Sequence, residues 1–282
     1  MILHYTGGLH IVDVSDPINP VFVACYGDDG YVHDAQCVTY KGPDARYYGA
    51  ELCFCYNENT ITIIDVTNKA NIHLISRTSY PDFSYVHQGW LSTDQTHLVF
   101  DDEYDEITNP TKNKTTRTMM LNIVDLQQPT NFQEHFGTTA TVDHNLYIRK
   151  ATDPGQPASA TAVSEEMASL YGTTDLIYQA NYEAGLRILQ SIDIENGFLE
   201  EIGYFDTVPQ SNKPALNVSS IVQSSWCIVI MSCSCECVFA FCVLYYIYIY
   251  IYQTNLSIHP SIHAFLHSYQ FVLGCMVGIS IL

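Results

Sequence analysis

The sequence predicts an all-β fold, an incomplete β-propeller of about four blade-like repeats, on two recurring markers and one change of composition. The first marker is Tyr5-Thr6-Gly7-Gly8-Leu9-His10-Ile11-Val12-Asp13-Val14, which returns as Tyr182-Glu183-Ala184-Gly185-Leu186-Arg187-Ile188-Leu189-Gln190. Reduced copies lie between them, Ile61-Thr62-Ile63-Ile64-Asp65-Val66 and Leu121-Asn122-Ile123-Val124-Asp125-Leu126. Counted at Asp13, Asp65, Asp125 and Gln190, the copies stand 52, 60 and 65 residues apart. Such periods, with several strands in each, belong to propeller blades rather than helical solenoids. The second marker is a His about twenty residues after each Asp: His33, His87 and His144. In equivalent blades these three sit on or just before the innermost strand of the next blade and converge on a central channel. The third observation is charge. All eleven Lys and Arg lie at or before Lys213, and from Pro214 to Leu282 the only charged residue is Glu236.

In chain order, the run ending at Asp13 is followed by the turn Ser15-Asp16-Pro17-Ile18-Asn19-Pro20 and a second strand, Val21-Phe22-Val23-Ala24-Cys25. Strand, turn and strand repeat in this way along the chain. Cys37 and Cys53 end and begin two apolar runs around the turn Lys41-Gly42-Pro43-Asp44. His97-Leu98-Val99-Phe100 reads as another strand. Residues 151–170, rich in Ala, Ser and Pro, read as a surface insertion with one short helix. The repeats therefore occupy residues 1–210, and an apolar tail occupies 211–282.

A net charge of −19 argues against a nucleic-acid backbone as partner and leaves cations and basic surfaces. Met1 runs straight into a repeat, with no basic and apolar leader before it, so a signal peptide is expected to be missing from this chain. The repeat region has four cysteines, Cys25, Cys37, Cys53 and Cys55, whose three pairings the sequence does not tell apart. Cys37 and Cys53, facing across a hairpin, are the pair expected within bridging distance. The glycosylation acceptor Asn113-Lys114-Thr115 agrees with an extracellular or cell-surface location.

The motif Gly8-Leu9-His10-Ile11-Val12-Asp13-Val14-Ser15-Asp16-Pro17, with His33-Asp34-Ala35-Gln36-Cys37, Tyr85-Val86-His87-Gln88-Gly89-Trp90-Leu91, Asp143-His144-Asn145 and Tyr178-Gln179-Ala180-Asn181-Tyr182, resembles the choice-of-anchor B proteins. These carry LVIVD-type repeats. The resemblance runs from about residue 7 to about 210. It implies an extracytoplasmic, propeller-like protein, and it implies no reaction.

Two groups of side chains suit chemistry. Neutral imidazole is a common metal ligand, so His33, His87 and His144 with Asp34 and Asp143 suit a divalent ion. The bland and expected reading is that each His hydrogen-bonds within its own blade. Asp101, Asp102, Glu103, Asp105 and Glu106 offer the oxygen density that suits calcium, without the glycine and ligand alternation of an EF-hand. Here the bland and expected reading is a solvated loop. Tyr31, Tyr85, Trp90 and Tyr182 would line a funnel or, as strand aromatics usually do, fill a core. Hydrolase elbows, His-Glu-x-x-His and phosphate loops are absent from the sequence. The functional expectation is a non-enzymatic, secreted or surface-displayed module that binds a protein or a glycan. The alternative is a metal-dependent hydrolase with a His-lined site.

The tail has two readings. Residues 226–252 are long and apolar enough for a membrane anchor. Yet Tyr246-Ile247-Tyr248-Ile249-Tyr250-Ile251-Tyr252 is what a TA repeat gives when translated, and Ser257-Ile258-His259-Pro260-Ser261-Ile262-His263 is what a TCCA repeat gives. Two simple-sequence tracts so close together are expected of an intron. Transcript sequencing across the Gln210 codon checks this: a spliced message should continue into another repeat, whereas an abundant message encoding the Ile-Tyr run would refute it.

Overall fold

The computed structural model describes residues 7–110, 115–150 and 175–206, and they form an all-β array of sheets. The apolar tail, the 151–170 insertion and Asn113 lie outside the described residues. Among the described residues fourteen strands alternate with tight turns, and the helical elements are one turn, α1 (Asp105–Thr108), and two 3₁₀ turns. Strands β1 (Leu9–Asp13) and β2 (Val21–Tyr26) pair as a two-stranded sheet. Three four-stranded meanders follow, each antiparallel and in sequence order. The first is β3 (Asp34–Thr39), β4 (Glu51–Tyr56), β5 (Ile61–Asp65) and β6 (His73–Thr78). The second is β7 (Val86–Leu91), β8 (His97–Asp102), β9 (Arg117–Asn122) and β10 (Thr130–Phe136). The third is β11 (Leu146–Lys150), β12 (Asp175–Asn181), β13 (Gly185–Asp193) and β14 (Phe198–Phe205).

Side chains of a strand alternate between faces, so a strand sandwiched between two sheets must be apolar on both. Strands β4 and β8 meet this condition. Leu98 and Phe100 enter a core shared with Leu52, Phe54 and Ile63, while Val99 faces the other way onto Leu146, Ile177 and Leu189. Cys53 and Cys55 turn from Phe54 toward Tyr26, Leu9 and Ile11 of the two-stranded sheet. The sheets thus stack face to face like blades, with β7 packed against both β3 and β11.

The turn after each repeat shows which residues are equivalent. Asp13 Oδ1 accepts from Ser15 N, Asp65 Oδ1 from Thr67 N, and Asn122 Oδ1 from Val124 N. One turn further on, Asp16, Asn68 and Asp125 accept from the backbone N–H two residues later. Asn122, not Asp125, is therefore the counterpart of Asp13 and Asp65, and the marker taken from sequence is three residues out in this copy. In the last sheet Gln190 stays inside β13, paired with Glu200, and the strand runs on to Asp193. By the same comparison β1 and β2 correspond to the third and fourth strands of a complete sheet.

Cys37 and Cys53 are directly opposite across β3 and β4 and form a disulfide, with Cα atoms 4.0 Å apart. That is just under the roughly 4.4–6.8 Å usual for such bridges. Cys25 and Cys55 are free thiols. The bridge closes a sequence separation of 16 residues, for which loop entropy gives a stabilisation of ~3 kcal/mol. Cys37→Ala/Cys53→Ala should lose about that much in urea unfolding, and reductant should lower the wild type to the same level. An unfolding midpoint indifferent to reductant would contradict the bridge.

Candidate functional site

The first strands of the three complete sheets deliver the three histidines to one place. His33 sits just before β3, where its backbone N–H donates to Tyr56 O at 2.9 Å. His87 is the second residue of β7, and His144 stands two residues before β11. The His33 and His87 rings lie 4.4 Å apart, and the His87 and His144 rings 4.2 Å. His33 Nδ1 is 2.9 Å from the His87 carbonyl oxygen and donates to it.

A bulge aims His87. The register between β7 and β8 shifts between Val86 and Gly89, and a bulge of this kind redirects the side chains it carries. Gly89 is required there, since a Cβ would come within 2.6 Å of Phe100 and the Tyr56 ring. Asp101 Oδ1 fills the gap in the ladder, 3.2 Å from Gln88 N and 3.0 Å from His87 Nδ1. Gln88 in turn accepts Leu146 N at 2.8 Å, and Gln36 accepts Leu91 N at 2.8 Å. These two amides tie the first strands of neighbouring sheets together.

Glu103, directly after β8, completes the group. Its Oε2 is 3.9 Å from His87 Nε2, and its Oε1 is 3.7 Å from His144 Nε2. The Tyr182 hydroxyl donates to Oε1. His87, Glu103 and His144 offer ligand atoms all within 4.8 Å of one another, the one such group of His, Cys, Asp and Glu among the described residues. Burial depresses the pKa of both imidazoles. It takes His144 down to about 3, with neighbouring His87 and His33 adding to the effect, and it lowers His87 against the pull of Glu103. Burial also raises Asp101 well above the carboxylate range, reinforced by Glu103 and Asp102.

The other residues singled out from sequence have different places. Asp34 accepts its neighbour Ala35 N at 2.6 Å, and burial raises its pKa. Asp143 is fully buried and takes Gln179 Nε2 at 3.2 Å. Neither belongs to the group that Glu103 joins. The acidic run is not a solvated loop, because Asp101, Asp102 and Asp105 have no exposure and Glu106 has 4%. Its members also point to separate partners. Asp102 accepts from Ser84 N, Tyr85 N and the Tyr80 hydroxyl, Asp105 pairs with Arg117, and Glu106 accepts Arg117 N. The five carboxylates are not gathered around one point. Sequence spacing missed the pairing of Glu103 with the histidines; its position directly after an apolar strand was the available signal.

An aromatic arc continues the site outward. His33 meets Tyr85 at 5.4 Å and Tyr31 at 6.2 Å, and Tyr85 meets Tyr104 at 4.7 Å. Tyr31 and Tyr104 are exposed. At the inner end Tyr182 packs on His144 at 5.5 Å. Trp90 lies elsewhere, against Tyr147 between sheets, as core. Glu58 and Glu103 carboxylates raise the Tyr85 phenol to about 12 after the larger effect of burial.

The fold and this axial cluster define an all-β, propeller-like repeat module. The LVIVD repeat family matches residues 5–28 and 52–79, which contain β1–β2 and β4–β6. Two segments of the chain thus match the LVIVD repeat, and the shared turn hydrogen bonds extend the pattern to β9 and β10. No curated protein matches the chain.

Above pH 6.5 His144 is neutral in both folded and unfolded chains; below it the unfolded chain takes a proton that the folded site, at about 3, refuses. Wild-type stability should therefore fall relative to His144→Gln by about 2 kcal/mol between pH 6.5 and about pH 4.5. Urea unfolding at the two pH values measures it, and a difference independent of pH would show that His144 is not held neutral.

Proposed function

We propose that this chain is a non-enzymatic binding module, secreted or displayed at the cell surface, that receives its ligand at the His-lined end of the sheet junction. The observation that supports this most is the convergence of His33, His87 and His144 from three sheets beneath a half-exposed arc of tyrosines. The Cys37–Cys53 bridge is in keeping with an oxidising compartment. Tyrosine faces beside imidazoles and carboxylates suit the apolar faces and hydroxyls of a sugar, so the favoured ligand is a glycan. A protein partner is the other outcome.

A second reading, a metal-dependent hydrolase, draws on the His87–Glu103–His144 group. It differs in requiring turnover of a hydrolysable substrate. Screening the full chain on a glycan array, then titrating the best-bound glycan, tests the binding reading. Tyr31→Ala and Tyr104→Ala should each weaken binding about 2- to 10-fold, as loss of an aromatic contact does. Binding unchanged in the double variant, or no glycan bound at all, would overturn it.

A further inference from the structure

We propose that His87 Nε2, His144 Nε2 and the Glu103 carboxylate form a site for a single divalent transition metal. The inference deepens the reading of the axial end as a binding site, since the metal would be the inner anchor of the ligand. Ligand atoms around a tetrahedral metal at ~2.0 Å stand ~3.3 Å apart. The separations of 3.9 Å and 3.7 Å from the two Glu103 oxygens to the two imidazoles need to close by about half an ångström, and the three ligand atoms all lie within 4.8 Å of one another. Two imidazoles with one carboxylate select zinc, cobalt, nickel, manganese or iron over calcium, which takes six or more oxygens.

The surroundings are those of a built site. A metal-bound imidazole normally donates its other N–H to a carboxylate or carbonyl, which fixes the ring and raises its basicity. Asp101 Oδ1 lies 3.0 Å from His87 Nδ1 and supplies that partner, leaving Nε2 to face Glu103. Asp101 has no exposure, and its Oδ2 has no hydrogen-bond partner. Tyr182 donates its hydroxyl to the same Glu103 carboxylate. Its backbone is in the left-handed region at φ 24°, a strained conformation that places the hydroxyl on the carboxylate. Three protein ligands leave at least one coordination position for water or an incoming ligand, the arrangement of an open rather than a closed structural site.

The test is made without any glycan, so its failure is separable from failure of the binding reading. Full-length protein stripped with chelator is titrated with Zn²⁺ and with Co²⁺, followed by calorimetry and by the visible bands of Co²⁺. One equivalent should bind, and His144→Gln and Glu103→Gln should each weaken it at least about 100-fold. Asp101→Asn should weaken it about 10- to 100-fold, the effect of losing an outer-shell partner. His97→Gln, an imidazole that pairs with Glu195 outside this group, should stay within a few-fold of wild type. Should a ligand variant fail to unfold cooperatively, proton NMR of the wild-type Co²⁺ form decides instead, with two paramagnetically shifted imidazole N–H signals expected. Absence of stoichiometric binding, binding indifferent to both ligand substitutions, or binding of Ca²⁺ in preference to Zn²⁺ would overturn the proposal.

Discussion

The placement on which both the site and the sheet junction depend is Asp101 in the bulge of β7. Where two strands leave their ladder, backbone polar groups must find other partners or lose about 1–3 kcal/mol each to desolvation. Asp101 Oδ1 serves Gln88 N and His87 Nδ1 together, so one carboxylate both closes the ladder and aims the imidazole. With its backbone thus held, the Gln88 side chain is free to accept Leu146 N across the junction. Gln36 does the same for Leu91 one sheet earlier. First strands of neighbouring blades pack through side chains without a shared ladder, and these amides fill the role that ladder bonds fill elsewhere.

The acid behind the site sets a second constraint. Buried carboxylates are rare unless paired, and here two carboxylates share one guanidinium. Asp102 is satisfied, receiving three donors besides Tyr104 N. Arg117 bridges Asp105 and Glu134, itself with no exposed surface. Asp105, Glu106 and Asp143 each keep one oxygen without a hydrogen-bond partner. Burial raises the pKa of all three, Asp105 to about 6 despite its Arg117 partner. Glu58 at φ 64° and Tyr182 at φ 24° add backbone strain at the rim and the inner end of the same region. Departures from local preference gathered in one place are what a functional region is expected to show.

What could be read from the sequence follows from what periodicity encodes. Strand–turn–strand units were legible because β-branched runs and Asx turns are local, and the His spacing held because each His precedes or opens a first strand. The Asp marker slipped at Asn122 for a chemical reason. Asn makes the same turn bond through Oδ1 as Asp does, and Asp125 offered a carboxylate three residues on. Asp125 instead docks the 40–50 loop, through Arg46 at 2.5 Å. The acidic run was misread because charge density says nothing about partners. Only the fold brings Ser84, Tyr85 and Tyr80 to Asp102, and Tyr182 to Glu103 from 79 residues away. The Cys37–Cys53 bridge was legible because both ends of one hairpin are local too.

The site's chemistry and the stability of the array are linked through its origin on separate sheets. His87 and Glu103 belong to the β7–β10 sheet, and His144 leads into the β11–β14 sheet. Any group held between them spans the junction that Gln88 and Leu146 also span. A ligand that binds only when both sheets are docked adds RT ln(1 + [L]/Kd) to the stability of that docking, about 2.7 kcal/mol at a hundred times Kd. This is more than one amide-to-backbone hydrogen bond contributes, at about 1 kcal/mol. In a stack whose blades each contact only their neighbours, occupancy of the axial site would therefore outweigh the hydrogen bonds that position it. The two amides align the first strands, and a ligand bound between the histidines would set how firmly they stay aligned.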